Sequence, residues 1–206
     1  MPCFFSKKRA VVGRYPIFGE LQQIGYLCGG MRYLVKIFAV LFAVIFVSCQ
    51  AEYDYKPMQD KTSLVQVGDA APDFTVNLLS GQSVSLSKYR DRVVMVVFFT
   101  TTDVDSRKYL SFLDALNRQF ADNNFSLLAV AVGEDKTAVK AFIEEKGYKF
   151  DVALDIHMGI YSLYATDYLP RTFIVDPLGR IAALSAGCDS KEFDMLVDVI
   201  RLLVVQ

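Results

Sequence analysis

A chain of 206 residues has room for one domain of ordinary size and something more, and 53% hydrophobic residues suffice for a sizeable core. The net charge of −1 sums two unlike parts: residues 1–48 hold six Lys/Arg and one acidic residue, the remainder sixteen Lys/Arg and twenty-two Asp/Glu. An acidic body without a basic stripe argues against nucleic acid as a partner.

Residues 1–30 hold Cys3, Cys28 and the Lys7-Lys8-Arg9 cluster without a sustained period, and read as an upstream extension. Met31-Arg32-Tyr33-Leu34-Val35-Lys36 is then a positive n-region, followed by an apolar run of 11 residues from Ile37 to Val47. That length fits the h-region of a signal peptide and falls short of the ~20 residues a spanning helix needs. It ends in Phe46-Val47-Ser48-Cys49, which resembles the bacterial lipobox, with Phe46 in place of the usual aliphatic residue. Residues 31–48 are expected to be a lipoprotein signal peptide and Cys49 its lipidated cysteine. An uncleaved anchor and a buried core helix are the alternatives. Residues 49–64, polar and aperiodic, read as a tether between membrane and domain.

From Val67 the pattern is that of a folded domain. Phe74–Leu78 and Ser83–Leu86 alternate around the turn residues Ser80-Gly81-Gln82, a β-hairpin. Val93–Phe99 is a continuous apolar run, as in a strand buried on both faces. Helical spacing resumes from about Ser106 to Phe120, through Tyr109, Leu110, Leu113 and Leu116. Asp122-Asn123-Asn124 predicts a turn, Phe125–Val132 a second buried strand, and Val139, Phe142 and Ile143 a second helix closed by Gly147. Phe150–Leu154 is a short strand candidate and Met158–Tyr164 a short helix. Thr172–Val175 and Arg180–Leu184 flank the turn Asp176-Pro177-Leu178-Gly179. The last helix opens on Asp189 and Glu192, spaced as a capping box, and turns Phe193, Leu196, Val197, Ile200 and Leu203 inward. The strand–helix alternation predicts right-handed βαβ units and a parallel central pair.

This order, with its motifs, resembles the thioredoxin-like superfamily over about residues 65–206, and most of all its redoxin branch, the AhpC/TSA and TlpA-like proteins. Three segments carry the resemblance: Val67-Gly68-Asp69-x-x-Pro72-Asp73-Phe74 with its hairpin, the strand Val96-Val97-Phe98-Phe99-Thr100-Thr101, and Leu169-Pro170-Arg171-Thr172-Phe173-Ile174-Val175-Asp176-Pro177. It implies an α/β fold, a central mixed sheet flanked by helices with an added N-terminal hairpin, and a cis peptide before Pro170. It also implies a groove lined by Thr102, Asp103, Pro170 and Gly187. The family's chemistry uses two cysteines at the start of the first long helix, where the helix dipole lowers the thiol pKa. Here those positions are Asp103 and Ser106, and no cysteine stands between Cys49 and Cys188.

Asp103, Asp105 and Ser106 are good helix-capping residues. Asp103-x-Asp105 opens like a calcium loop, but Arg107 and Lys108 follow where ligands and a glycine are needed. Acid–base work by Asp103 lacks a partner residue. Cys188 is a candidate lone thiol on the groove rim, its pKa lowered by a helix start and raised by Asp189. His157, the one histidine, reads as a solvated loop residue near Asp155, and Tyr161, Tyr164 and Tyr168 read as packing. The expected protein is therefore a membrane-anchored envelope lipoprotein with a degenerate redoxin site. It would need no cofactor or metal and would hold an envelope protein or extended peptide without catalysis. The rival expectation is a thiol-disulfide oxidoreductase or antioxidant enzyme working through Cys188.

Overall fold

A computed structural model describes residues 61–121 and 123–205. The expected extension, the expected signal peptide, Cys49 and most of the expected tether lie outside the described residues, as does Asp122 of the expected turn. Strands β1 (Thr75–Asn77) and β2 (Ser83–Ser85) form the hairpin, and a 3₁₀ turn follows over Leu86–Tyr89. The main sheet holds β3 (Val93–Phe99), β4 (Phe125–Val132), β5 (Asp151–Asp155), β6 (Arg171–Val175) and β7 (Ile181–Ala186). The helices are α1 (Val104–Gln119), α2 (Lys136–Lys146), the short α3 (Tyr161–Tyr164) and α4 (Ser190–Val204).

The sheet order is β5-β4-β3-β6-β7; β3, β4 and β5 are parallel, and β6 pairs antiparallel with both β3 and β7. All seven residues of β3 are buried, as its unbroken apolar run predicts. Val93, Met95, Val97 and Phe99 face a core closed by Tyr109, Leu110, Leu113, Val139, Leu196 and Ile200 from the three long helices. Val94, Val96 and Phe98 face the opposite core, built from Phe74, Val76, Leu78, Tyr161, Tyr164 and Phe173. Phe98 meets Tyr161, Tyr164 and Phe173 at ring-centroid distances of 5.4–6.0 Å, the tilted and edge-on contacts aromatic rings favour.

The lead-in to the domain is part of this second layer. Ser63 bridges Ala165, the Leu64 N–H donates to the Tyr164 carbonyl at 2.9 Å, and the Thr166 N–H donates to the Thr62 carbonyl at 2.9 Å. The Tyr164 hydroxyl donates to the Pro72 carbonyl at 2.6 Å.

Two expectations shift, and that of Gly147 holds. The helix expected from Met158 begins at Tyr161, because the buried Asp155 carboxylate accepts the N–H groups of Ile160 (2.9 Å) and Tyr161 (2.7 Å) and so sets the first turn there. Met158 itself has φ 59, outside helical geometry. The capping box at the last helix is half formed: Asp189 accepts from Lys191 and Glu192, while the Glu192 carboxylate turns away to accept the Ser185 hydroxyl at 2.6 Å. Gly147 closes α2 in the left-handed conformation, its N–H donating to Ile143 and Glu144.

Candidate functional site

Strands β3, β4, β5 and β7 all run toward one edge of the sheet, where α1, α2 and α4 begin and β6 enters. Each of the three helices starts on an aspartate: Asp103 for α1, Asp135 for α2 and Asp189 for α4. Asp103 accepts the Ser106 N–H at 2.6 Å, so the two positions that the resemblance sets against a cysteine pair stand as cap and third helical residue. Ser106 is fully buried and its hydroxyl faces the Thr100 N–H at 3.5 Å.

The loop between β3 and α1 is held from several sides. The Thr101 N–H and hydroxyl both donate to the Glu134 carboxylate, at 2.7 and 2.6 Å. Arg107 donates back to the carbonyls of Thr101 (3.0 Å) and Thr102 (3.4 Å), and the hydroxyls of Thr100 and Thr102 are 3.0 Å apart. Sequence reasoning did not single out Glu134. The signal lay in the parallel pairing: Phe99 is in register with Ala131, which brings the residues after each strand side by side.

Opposite this loop, the Leu169–Pro170 peptide is cis. Pro170 is buried, and the Gly187 N–H donates to its carbonyl at 2.8 Å. Thus Thr102, Asp103, Pro170 and Gly187 gather at one edge. The preceding Tyr168 points outward with φ 70, its carbonyl held at 2.9 Å by the hydroxyl of buried Tyr161. Tyr161 and Tyr164 pack as expected; Tyr168 does not. Next in the chain, fully buried Arg171 donates to the Thr62 hydroxyl at 2.8 Å and the Asp167 carbonyl at 3.0 Å.

Cys188 is half-buried beside the first turn of α1. Its thiol is pushed up by burial, then by a hydrogen bond to Asp105 and by the charges of Asp105 and Asp103, with Lys108 opposing. The sequence pointed to Asp189 as the opposing carboxylate; the fold supplies Asp105 and Asp103. The positive end of α1, which would stabilise a thiolate, faces a capping carboxylate and a second one in its first turn. Nearby, the Thr172 hydroxyl donates to the Tyr109 oxygen at 2.9 Å, and burial above all raises the Tyr109 pKa. His157 is exposed, and Asp155 is engaged in capping α3, so the two form no acid–base pair. Among the described residues no group of three or more His, Cys, Asp or Glu is placed to hold a metal ion.

The AhpC/TSA family model matches residues 67–184. Among curated proteins, the chain is 31% identical over 133 residues to the thiol-disulfide oxidoreductase ResA of Geobacillus thermodenitrificans, covering 65% of this chain and 76% of that one. It is 27% identical over 139 residues to ResA of Bacillus subtilis, covering 68% and 76%. Among solved structures, the thioredoxin domain of a thiol-disulfide oxidoreductase from Bacteroides vulgatus superposes with a TM-score of 0.60 at 24% identity, over 66% of this chain and 99% of that one. A secreted thiol-disulfide isomerase from Corynebacterium glutamicum gives 0.61 at 19%, over 74% and 97%. These last two likenesses speak to the fold alone.

Proposed function

The chain belongs to the AhpC/TSA family, in the redoxin branch of the thioredoxin-like superfamily, and from that premise we propose that it is a member without dithiol chemistry. It holds a partner protein or extended peptide in the groove bounded by Thr102, Asp103, Pro170 and Gly187. The observation that carries this reading is the Asp103–Ser106 cap, which occupies both positions of the expected cysteine pair. Cys188 supports it from the other side: a thiol pushed up by burial and by Asp105 holds its proton at neutral pH and makes a poor nucleophile.

The same proposal sets the domain in the cell envelope, anchored through lipid on Cys49. Its support is the n-region, the apolar run and the lipobox-like end at Phe46-Val47-Ser48-Cys49.

Two experiments decide the function. Insulin reduction and peroxide turnover are measured on the purified chain and on Cys188→Ser; turnover that depends on Cys188 would replace this reading with the single-thiol enzyme. A photo-cross-linking amino acid at Thr102 should capture an envelope protein in cells, and a probe that stays unattached there counts against a binding groove. For the anchor, Cys49→Ser should leave the membrane fraction; full retention would point to an uncleaved helix.

A further inference from the structure

The end of the sheet where this groove is proposed carries large apolar side chains in the open. Val104, the first residue of α1, is 66% exposed, Tyr168 60%, Ile156 50% and Met158 46%. They belong to one sheet edge. Val104 follows the end of β3, Tyr168 precedes β6, which pairs with β3, and Ile156 and Met158 follow β5. Met158 stands over Gly133, where an added Cβ would meet its Cγ at 3.9 Å, and Gly133 precedes the Glu134 that clamps Thr101. Among the described residues three non-glycine residues have positive φ, and two of them, Met158 and Tyr168, are in this apolar set. The left-handed region disfavours such side chains, and a glycine would sit there without strain. The strained backbone at these two points therefore presents apolar surface outward.

The charges around the set have one predominant sign. Asp103, Asp105, Glu134, Asp135, Asp167 and Asp189 lie at this edge, against Arg107, Lys108, Lys136 and Lys191. Groups of both signs are hydrogen-bonded to neutral partners, Arg107 to the Thr101 and Thr102 carbonyls, Glu134 to Thr101 and three of the aspartates as caps, so each keeps its charge. An apolar patch within a net acidic rim complements an extended segment that alternates apolar with basic side chains.

We propose that the groove takes an extended, cysteine-independent peptide segment of basic and apolar residues, its apolar side chains resting on Tyr168 and Val104 and its cations facing the Asp105–Glu134 rim. The proposal rests on the groove-binding reading above and names the class of its occupant.

The test uses the full chain in a non-ionic detergent and two fluorescent synthetic decapeptides without cysteine, one alternating lysine with phenylalanine and one alternating glutamate with phenylalanine. The lysine peptide should bind at least tenfold more tightly at low salt, the gap narrowing as salt rises. Tyr168→Gly, which removes the ring and relieves the backbone, and Val104→Gln should each weaken it about fivefold or more, with no fall in thermal midpoint for Tyr168→Gly. Equal affinity for the two peptides would overturn the basic class while leaving the groove as a peptide site. Lysine-peptide binding that ignores Tyr168→Gly would overturn this surface, and no binding at millimolar peptide would overturn the inference as a whole. Capture at Thr102 judges the groove reading independently of all three.

Discussion

Thr101 and Glu134, 33 residues apart, are joined by two hydrogen bonds from one residue to one carboxylate. The pair ties the β3–α1 loop to the residues that follow β4, which holds the loop without a disulfide. Hydrogen bonds to a charged group contribute about 1.5–3 kcal/mol each when shielded, and less at a half-buried site such as this. Glu134→Ala should lower the unfolding free energy by ~1–3 kcal/mol and speed amide exchange at Thr101. Glu134→Gln, which keeps an acceptor for the N–H, should lose less. Equal exchange rates in all three proteins would show that Arg107 alone holds the loop.

Asp103→Ala removes the cap of α1 and should cost ~0.5–2 kcal/mol in urea unfolding. Asp103→Cys combined with Ser106→Cys gives a stronger test, because the third residue on at a helix start lies within disulfide-forming distance. The double variant should oxidise to an internal disulfide and reduce insulin slowly. Adding Asp105→Ala should raise its rate at neutral pH about tenfold, since a negative charge beside the thiol is gone. A double variant already as fast as the triple would mean that Asp105 does not govern the electrostatics of this helix start.

The Cys188 thiol, raised by burial and by Asp105, should alkylate more slowly than a free thiol at pH 7.5, with Asp105→Asn accelerating it severalfold. The sign for stability follows from linkage. The folded chain keeps the proton at a pH where the unfolded thiol releases it, so this contribution is fully present below about pH 8.5 and is lost as pH climbs through the folded value. Cys188→Ser should flatten that alkaline decline in urea midpoints. Fast alkylation at pH 7.5 would revive the single-thiol enzyme.

Tyr168→Gly should leave the unfolding free energy unchanged or raise it by ~1 kcal/mol, because relief of a left-handed tyrosine is set against the greater chain entropy of glycine. Met158→Gly should behave alike, less its contact over Gly133. A loss of 2 kcal/mol or more in chemical unfolding would mark these side chains as structural rather than surface presented outward.

Much of this fold was legible because short-range signals and tertiary demand agree. The run Val93–Phe99 is buried throughout, Asp103 and Asp189 cap the helices they precede, and Gly147 ends one. The misses all involve a side chain answering to a partner outside its own element's periodic pattern. Met158 joins the helical period of Tyr161 and Tyr164, yet the Asp155 carboxylate starts the helix later. Glu192 has the spacing to close a capping box, yet Ser185 on β7 draws its carboxylate. The neighbour that governs Cys188 is Asp105, 83 positions earlier, met only because β7 ends beside the start of α1. Glu134 could be found only by setting the ends of two parallel strands side by side.

The docked lead-in has a mechanical consequence. Tension on the chain upstream of residue 61 would arrive first at Thr62–Leu64, whose bonds run to Tyr164, Thr166 and Arg171. Arg171 also grips the Asp167 carbonyl, one residue from Tyr168 and three from Pro170. In the tethered form proposed above, the lead-in and the Tyr168–Pro170 side of the proposed groove would form a single lever, joined through Arg171.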